Sequence, residues 1–204
     1  MPSAAVVGSK DGVAMISHDT ILDRVSDRSG RVGSLTAAEL AEVDLGGEGF
    51  ISLAQALEQF PDTRFNIDVK DASAITGVVS AVNDAGAVDR VLLTSFSAVR
   101  RRAVTRRMPT VASSPSATEF LALASAIRLG VAPPLPRIHA LQIPEKGNGV
   151  TLVTEQLVDR YHRLGLEVHV WTINDEAAMR RLLSLGVDGI VTDRADIALG
   201  VIDS

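Results

Sequence analysis

"RFNIDVK", residues 64–70, reads as a short strand that ends in polar groups, and together with the segments after it this stretch decides the fold. Ile75, Val78, Val79 and Val82 repeat at helical spacing before Gly86, and "VLLTSF" (91–96) then resumes strand character. A strand, a helix and a second strand in this order are the signature of parallel strands joined by crossover helices. The same alternation extends in both directions. Strands are expected at 3–7, 13–17, 110–114, 139–143, 167–173 and 189–193.

Local chemistry marks the helices between them. Thr36 with Glu39 forms a capping box for a helix over 37–43, and Ser116 with Glu119 forms another for 117–128. Thr154 caps a helix carrying Leu157, Val158, Tyr161 and Leu164, and Asn174 caps the next, with Ala178, Leu182 and Leu183 inward. "RLGV" (128–131), "RLGL" (163–166) and "SLGV" (184–187) each supply a glycine that ends a helix in the left-handed conformation. "APPLPR" (132–137) reads as a stiff surface connection and not as a domain linker, so one domain is expected over 1–204.

A doubly wound sheet and a TIM (β/α) barrel both fit this α/β pattern. The polar strand endings favour the barrel: His18 and Asp19, Asp68 and Lys70, Ser95, Trp171 with Asn174, and Thr192 with Asp193 all fall where separate strands finish. A barrel gathers such ends around one mouth, where its chemistry lies.

Composition narrows the function. The net charge of −5 argues against a nucleic-acid partner, which is met by a strongly basic surface. The one dense basic run, "RRRAVTRR" (100–107), is expected to be a solvated helix surface. There is no cysteine, hence no disulfide and no thiolate metal site. No signal-peptide pattern opens the chain and no run of about 18 apolar residues could cross a bilayer, so a cytoplasmic protein without a transmembrane segment is expected. With 3% aromatic residues, the core must be mostly Val, Leu, Ile and Ala.

Asp68 and Lys70 share one side of an extended strand because they are two residues apart. A carboxylate and an ammonium there suit a divalent cation and a phosphate oxygen respectively; they also suit a plain ion pair at a strand end. His18, closing "VAMISHD" (13–19), is the residue type for general acid or base work, and Asp19 can join it only if the chain turns at "HDT". Trp171 is placed to form an apolar wall of a pocket. His162 on a helix face and His169 within a strand read as structural, and the glycines of "DLGGEG" do not make a phosphate loop.

In order along the chain, "SKDGVAMISHDTILDRVSDRSGRVGSLTAAELAEVD", "FNIDVKD", "LLTSF", "GLEVHVWTIND" and "LGVDGIVTDRADI" resemble the glycerophosphodiester phosphodiesterase family over about residues 6–200. The resemblance implies a TIM barrel and metal-assisted hydrolysis of a small glycerophosphodiester to glycerol 3-phosphate and an alcohol, with Mg2+ or Ca2+. It assigns His18 as general acid toward the leaving alkoxide, Asp68 as a metal ligand, Lys70 as a phosphate contact and Trp171 as the aromatic residue at the barrel mouth.

Two departures from the family pattern bear on activity. The family's first strand ends in His-Arg-Gly, and the resemblance here starts after it, so the barrel is expected to be incomplete at the N-terminus, missing the first βα unit. The family's next strand carries two metal carboxylates in Glu-x-Asp spacing, and those positions fall on Ser3 and Ala5. Weak or absent hydrolysis is therefore expected, with a homodimer as one way to cover an open sheet edge. The competing readings are a phosphate-ligand-binding or interaction protein and a structural remnant.

Overall fold

The computed structural model describes residues 1–131, 137–147 and 149–202; the expected stiff connection at 132–137 lies, apart from Arg137, outside the described residues. The chain divides into two compact units, Met1–Glu119 and Phe120–Ser204.

In the first unit, the alternating runs form β1 (Ser3–Gly8), β2 (Ala14–Ile16), β3 (Phe65–Val69), β4 (Val91–Thr94) and β5 (Ala112–Ser113). They make one sheet in the order β2-β1-β3-β4-β5. All neighbours run parallel except β2, which folds back on β1. The fold-back is a tight turn: Ser9 N–H donates to the Val13 carbonyl at 2.9 Å, and Val13 N–H returns to Ser9 Oγ at 2.9 Å.

The helices of this unit are α1 (Ala37–Ala41), α2 (Leu53–Gln59), α3 (Ala74–Asp84) and α4 (Ala98–Arg107). The pleat sends Phe65, Ile67 and Val69 of β3 and Val91 and Leu93 of β4 into a core with Leu57, Val78, Val82 and Val104. A second cluster, with Val7, Met15, Leu22, Val32, Leu40, Val43 and Phe50, anchors the irregular chain after β2. The capping box of Thr36 and Glu39 is present at α1, and a second, Ser52 with Gln55, starts α2, a helix the sequence pattern did not single out.

The basic run corrects an expectation. Arg101 is not on a solvated surface: its side chain is 4% exposed, with Nε donating to the Ser114 carbonyl at 2.7 Å and Nη2 to Ser113 Oγ at 3.0 Å. The end of β5 offers bare acceptors where α4 crosses it, and a guanidinium satisfies several at once. Arg102, 61% exposed, keeps the surface character expected of the run.

The second unit takes its packing from α5 (Ala117–Arg128), whose Phe120, Leu123, Ala124 and Ile127 are buried. It continues with β6 (Ala140–Pro144), a hairpin of β7 (Lys146–Gly147) and β8 (Val150–Thr151), α6 (Glu155–Arg163), β9 (Glu167–Trp171), α7 (Glu176–Ser184), β10 (Gly189–Ile190) and α8 (Ala195–Ile202). A parallel sheet in the order β10-β9-β6 buries Leu141, Ile143, Val168 and Val170 against Val158, Tyr161 and Leu182. Helix ends behave as expected at the repeated glycine pattern. Gly165 and Gly186 have φ of +74° and +86°, and the next N–H folds back in each case, Leu166 to Tyr161 and Val187 to Leu182.

Gly77 of α3 fixes how closely that helix can approach the β1–β2 hairpin. A Cβ there would lie 2.5 Å from the Ala14 nitrogen and 2.6 Å from the Gly12 carbonyl oxygen, both of them backbone atoms. Gly77→Ala is expected to destabilise the protein by about 1–3 kcal/mol, overpacking outweighing alanine's better helix propensity. Urea unfolding of the two proteins measures it, and an equal or higher midpoint for the variant would contradict this packing.

Candidate functional site

The face of β3 turned away from the helices carries Asn66 and Asp68, and Lys70 follows one residue past the strand's end, its N–H still donating to the Val6 carbonyl at 3.0 Å. The spacing of two brings Asp68 and Lys70 together as the sequence predicts. Lys70 Nζ lies 2.8 Å from Asp68 Oδ2, with the side chains 23% and 13% exposed. Asp68 Oδ1 is buried and has no hydrogen-bond partner. The ammonium also stands 5.8 Å from the centre of the Phe96 ring, within cation–π range.

The strand end beneath this pair is held by side chains that sequence reasoning did not assign. The Val69 carbonyl accepts from Ser95 Oγ at 2.7 Å and from Arg100 Nε at 3.2 Å, and the same Nε reaches Ser95 Oγ at 3.2 Å. This ties the end of β3 to the start of α4. The polar and aromatic ending of "LLTSF" was the available signal.

Register places β1 beside these groups. Ala5 is the cross-strand partner of Asp68 and Ser3 that of Asn66, whose Nδ2 donates to Ser3 Oγ at 3.1 Å. On the other side of β1, Ser17 N–H donates to the Ala5 carbonyl at 2.9 Å, and His18 comes directly after it. Ser17, Ala5 and Asp68 thus sit on one transect across the sheet, and His18 lies one position beyond it, past the end of β2.

The chain does turn at "HDT". Ser17 Oγ donates to the Asp19 carbonyl at 2.7 Å, and Asp19 Oδ1 then meets His18 Nδ1 at 2.9 Å while Arg24 Nε lies 2.6 Å from Oδ2. The His18 side chain is 70% exposed. With Nδ1 engaged by the Asp19 carboxylate, Nε2 is the other ring nitrogen of this exposed side chain. The hydrogen bond from His18, followed by the charge of Arg24, holds the Asp19 carboxyl below its ordinary 3.8.

These residues do not fit a divalent metal ion. A hard cation takes six or more oxygens, normally with several anionic donors or bound phosphates among them. Here the carboxylate of Asp68 already shares one oxygen with Lys70, and its cross-strand neighbour Ala5 offers no donor at all. Among the described residues no group of three or more His, Asp or Glu side chains is arranged to hold a metal.

Trp171 lies in the second unit, at the C-terminal end of β9 opposite Pro144 of β6. Near it Asn174 does not cap α7 as expected; Asp175 does, accepting from Ala178 N–H at 2.8 Å. Asn174 instead accepts from Thr192 Oγ1 and Asp193 N–H, each at 2.9 Å, so it joins the loops after β9 and β10. His162 and His169 are engaged with Asp188 and Glu167, in line with structural roles. No helix is long and apolar enough to cross a membrane among the described residues.

The Asp19 shift has a signed consequence. A carboxyl held below 3.8 stabilises the fold above its unfolded value, and that contribution is lost as pH falls through the lower, folded value. In a carboxyl-detected NMR titration Asp19 is expected to titrate below 3.8, and His18→Gln to move it upward. An unchanged titration in the variant would separate the two side chains.

The sequence profile of the glycerophosphoryl diester phosphodiesterase family matches residues 6–197. A Mycobacterium tuberculosis protein described as "Probable glycerophosphodiester phosphodiesterase 2" is 38% identical over 203 residues, covering 97% of this chain and 77% of that protein. The crystal structure of a glycerophosphodiester phosphodiesterase from Agrobacterium tumefaciens superposes with a TM-score of 0.80 at 22% identity, over 99% of this chain and 86% of the other. A phosphodiesterase from Oleispira antarctica, solved with its product sn-glycerol 3-phosphate, gives 0.79 at 23%, over 99% and 84%. The structural likenesses carry the fold, the TIM barrel, while the profile match and the mycobacterial relative carry the family. The chain is a member of the glycerophosphoryl diester phosphodiesterase family.

Proposed function

We propose that this protein recognises small glycerophosphodiesters or their glycerol 3-phosphate moiety, and that the family's metal-assisted hydrolysis to glycerol 3-phosphate and an alcohol is weak or absent in it. The observation that carries this reading is the register of β1 on β3, which sets Ala5 and Ser3 beside Asp68 and Asn66 at the positions where the family resemblance calls for two carboxylates. Charge developing on the phosphoryl oxygens then lacks the strongest stabilising element of such a site.

Among these residues are groups suited to recognition and to a proton transfer. Lys70 supplies a fixed positive charge for a phosphate oxygen. His18, oriented by Asp19, offers Nε2 as general acid toward a leaving alkoxide. For Trp171, at the end of β9 in the second unit, the family resemblance alone supports an aromatic role toward the organic part of a ligand. On this reading residues 1–204 belong to one barrel domain. A catalytically degenerate phosphate-binding protein is the second reading, favoured by the retained Lys70 charge beside a deficient metal set.

The test is release of glycerol 3-phosphate from several glycerophosphodiesters with Mg2+ or Ca2+, beside a His18→Ala control. Turnover is expected to stay at the level of that control. Metal-dependent turnover that disappears in His18→Ala would overturn the reading and restore an active phosphodiesterase.

A further inference from the structure

We infer that the Lys70 ammonium, clamped between Asp68 and Phe96, takes the place of a divalent cation, so that the site binds a phosphate monoester anion without metal. This deepens the proposed function and rests on it.

Four observations converge on one spot. Asp68 is a carboxylate 13% exposed, and its nearest compensating charge is an ammonium 2.8 Å away on the same chain segment. The neighbouring strand contributes a methyl group at Ala5 where a further anionic donor would have to stand. The ammonium is flanked by the face of Phe96 at 5.8 Å, and the Phe96 side of the contact is largely open to solvent, the residue being 58% exposed. The backbone bearing Lys70 is held by Ser95 and Arg100 through the Val69 carbonyl.

A partly desolvated carboxylate must be neutralised, either by a bound cation or by a fixed one. Here the fixed one is built in. An ammonium has three donors and no acceptor, so pairing with Asp68 Oδ2 leaves donors for a ligand oxygen. A divalent ion entering the same place would have to displace Lys70 from its carboxylate and complete its shell without Ala5. A phosphate ester makes no such demand, since it adds acceptors where donors remain.

The two roles for Asp68 predict opposite signs. If Asp68 held a metal that holds the phosphate, Asp68→Asn would weaken phosphate binding. If Asp68 only balances Lys70, removing its charge leaves the ammonium more attractive to an anion. Isothermal titration of the full chain with sn-glycerol 3-phosphate, in excess EDTA and then in Mg2+ or Ca2+, is the first measurement. Affinity is expected to agree within about twofold across these conditions, to rise about 3- to 10-fold in Asp68→Asn, and to fall at least about 10-fold in Lys70→Met. The low-salt preference of such a contact gives a further readout, weaker binding as ionic strength rises.

A gain-of-site variant keeps the test independent of those substitutions. Ser3→Glu with Ala5→Asp sets two carboxylates beside Asn66 and Asp68, and this double variant is expected to bind Mn2+, followed by its electron paramagnetic resonance signal, where the parent does not. Binding of glycerol 3-phosphate only in the presence of Mg2+ or Ca2+, weakening in Asp68→Asn, or no binding in any condition would each overturn the inference. None of these outcomes produces turnover, so they are distinguishable from failure of the functional reading, which shows itself as metal-dependent release of glycerol 3-phosphate.

Discussion

Pairing of β1 with β3 is the constraint on which the candidate site depends. Strand side chains alternate with a period of two, so a slip of one residue would exchange the inner and outer sets of the whole strand. Phe65, Ile67 and Val69 are all buried against the helices, and this leaves the register no freedom. Once they are committed, Asn66 and Asp68 must face the opposite way. Once Ser3 aligns with Asn66, Ala5 must stand beside Asp68. Which side chains flank Asp68 is therefore a consequence of core packing as much as of residue identity.

The charges are set by that geometry. Asp68 is too far from bulk water to remain an isolated anion at small cost, and Lys70 is the cation within reach. Phe96 and the tied carbonyl of Val69 limit where the ammonium can go. His18 has the opposite character: it is well exposed, and its orientation comes from Asp19, which Arg24 holds in turn. The Asp68–Lys70 pair is thus largely enclosed, while the His18 ring is open to solvent.

Small residues decide how closely the layers approach. Gly77 lets α3 rest on the backbone of the β1–β2 turn, and Gly8 comes so close to Ser73 and Ala74 that a Cβ would meet main-chain atoms at 2.6 Å and 2.8 Å. With so few aromatic residues, burial is spread over Val, Leu, Ile and Ala, and the fit between layers depends on many short contacts. Arg101 shows the complementary case, a long side chain drawn inward because strand-end acceptors needed a donor.

Much of this was legible in the residues themselves. The order of strands and helices, the capping boxes at Thr36 and Ser116, the glycine stops at 130, 165 and 186, and the Asp68–Lys70 contact are local, set by spacing along one segment, and local rules suffice for them. Asn174 was misassigned because two adjacent residues can both cap a helix, and only the position of Thr192 and Asp193 decides which is taken for another purpose. Arg101 was misread for the same reason, its partners lying 12 and 13 residues away on another element. By itself, then, the sequence determined the family, the alternation and the list of groups available. Tertiary structure alone decided which of them meet, because register and helix approach depend on contacts between distant segments: it set Ala5 against Asp68 and placed Phe96 over Lys70.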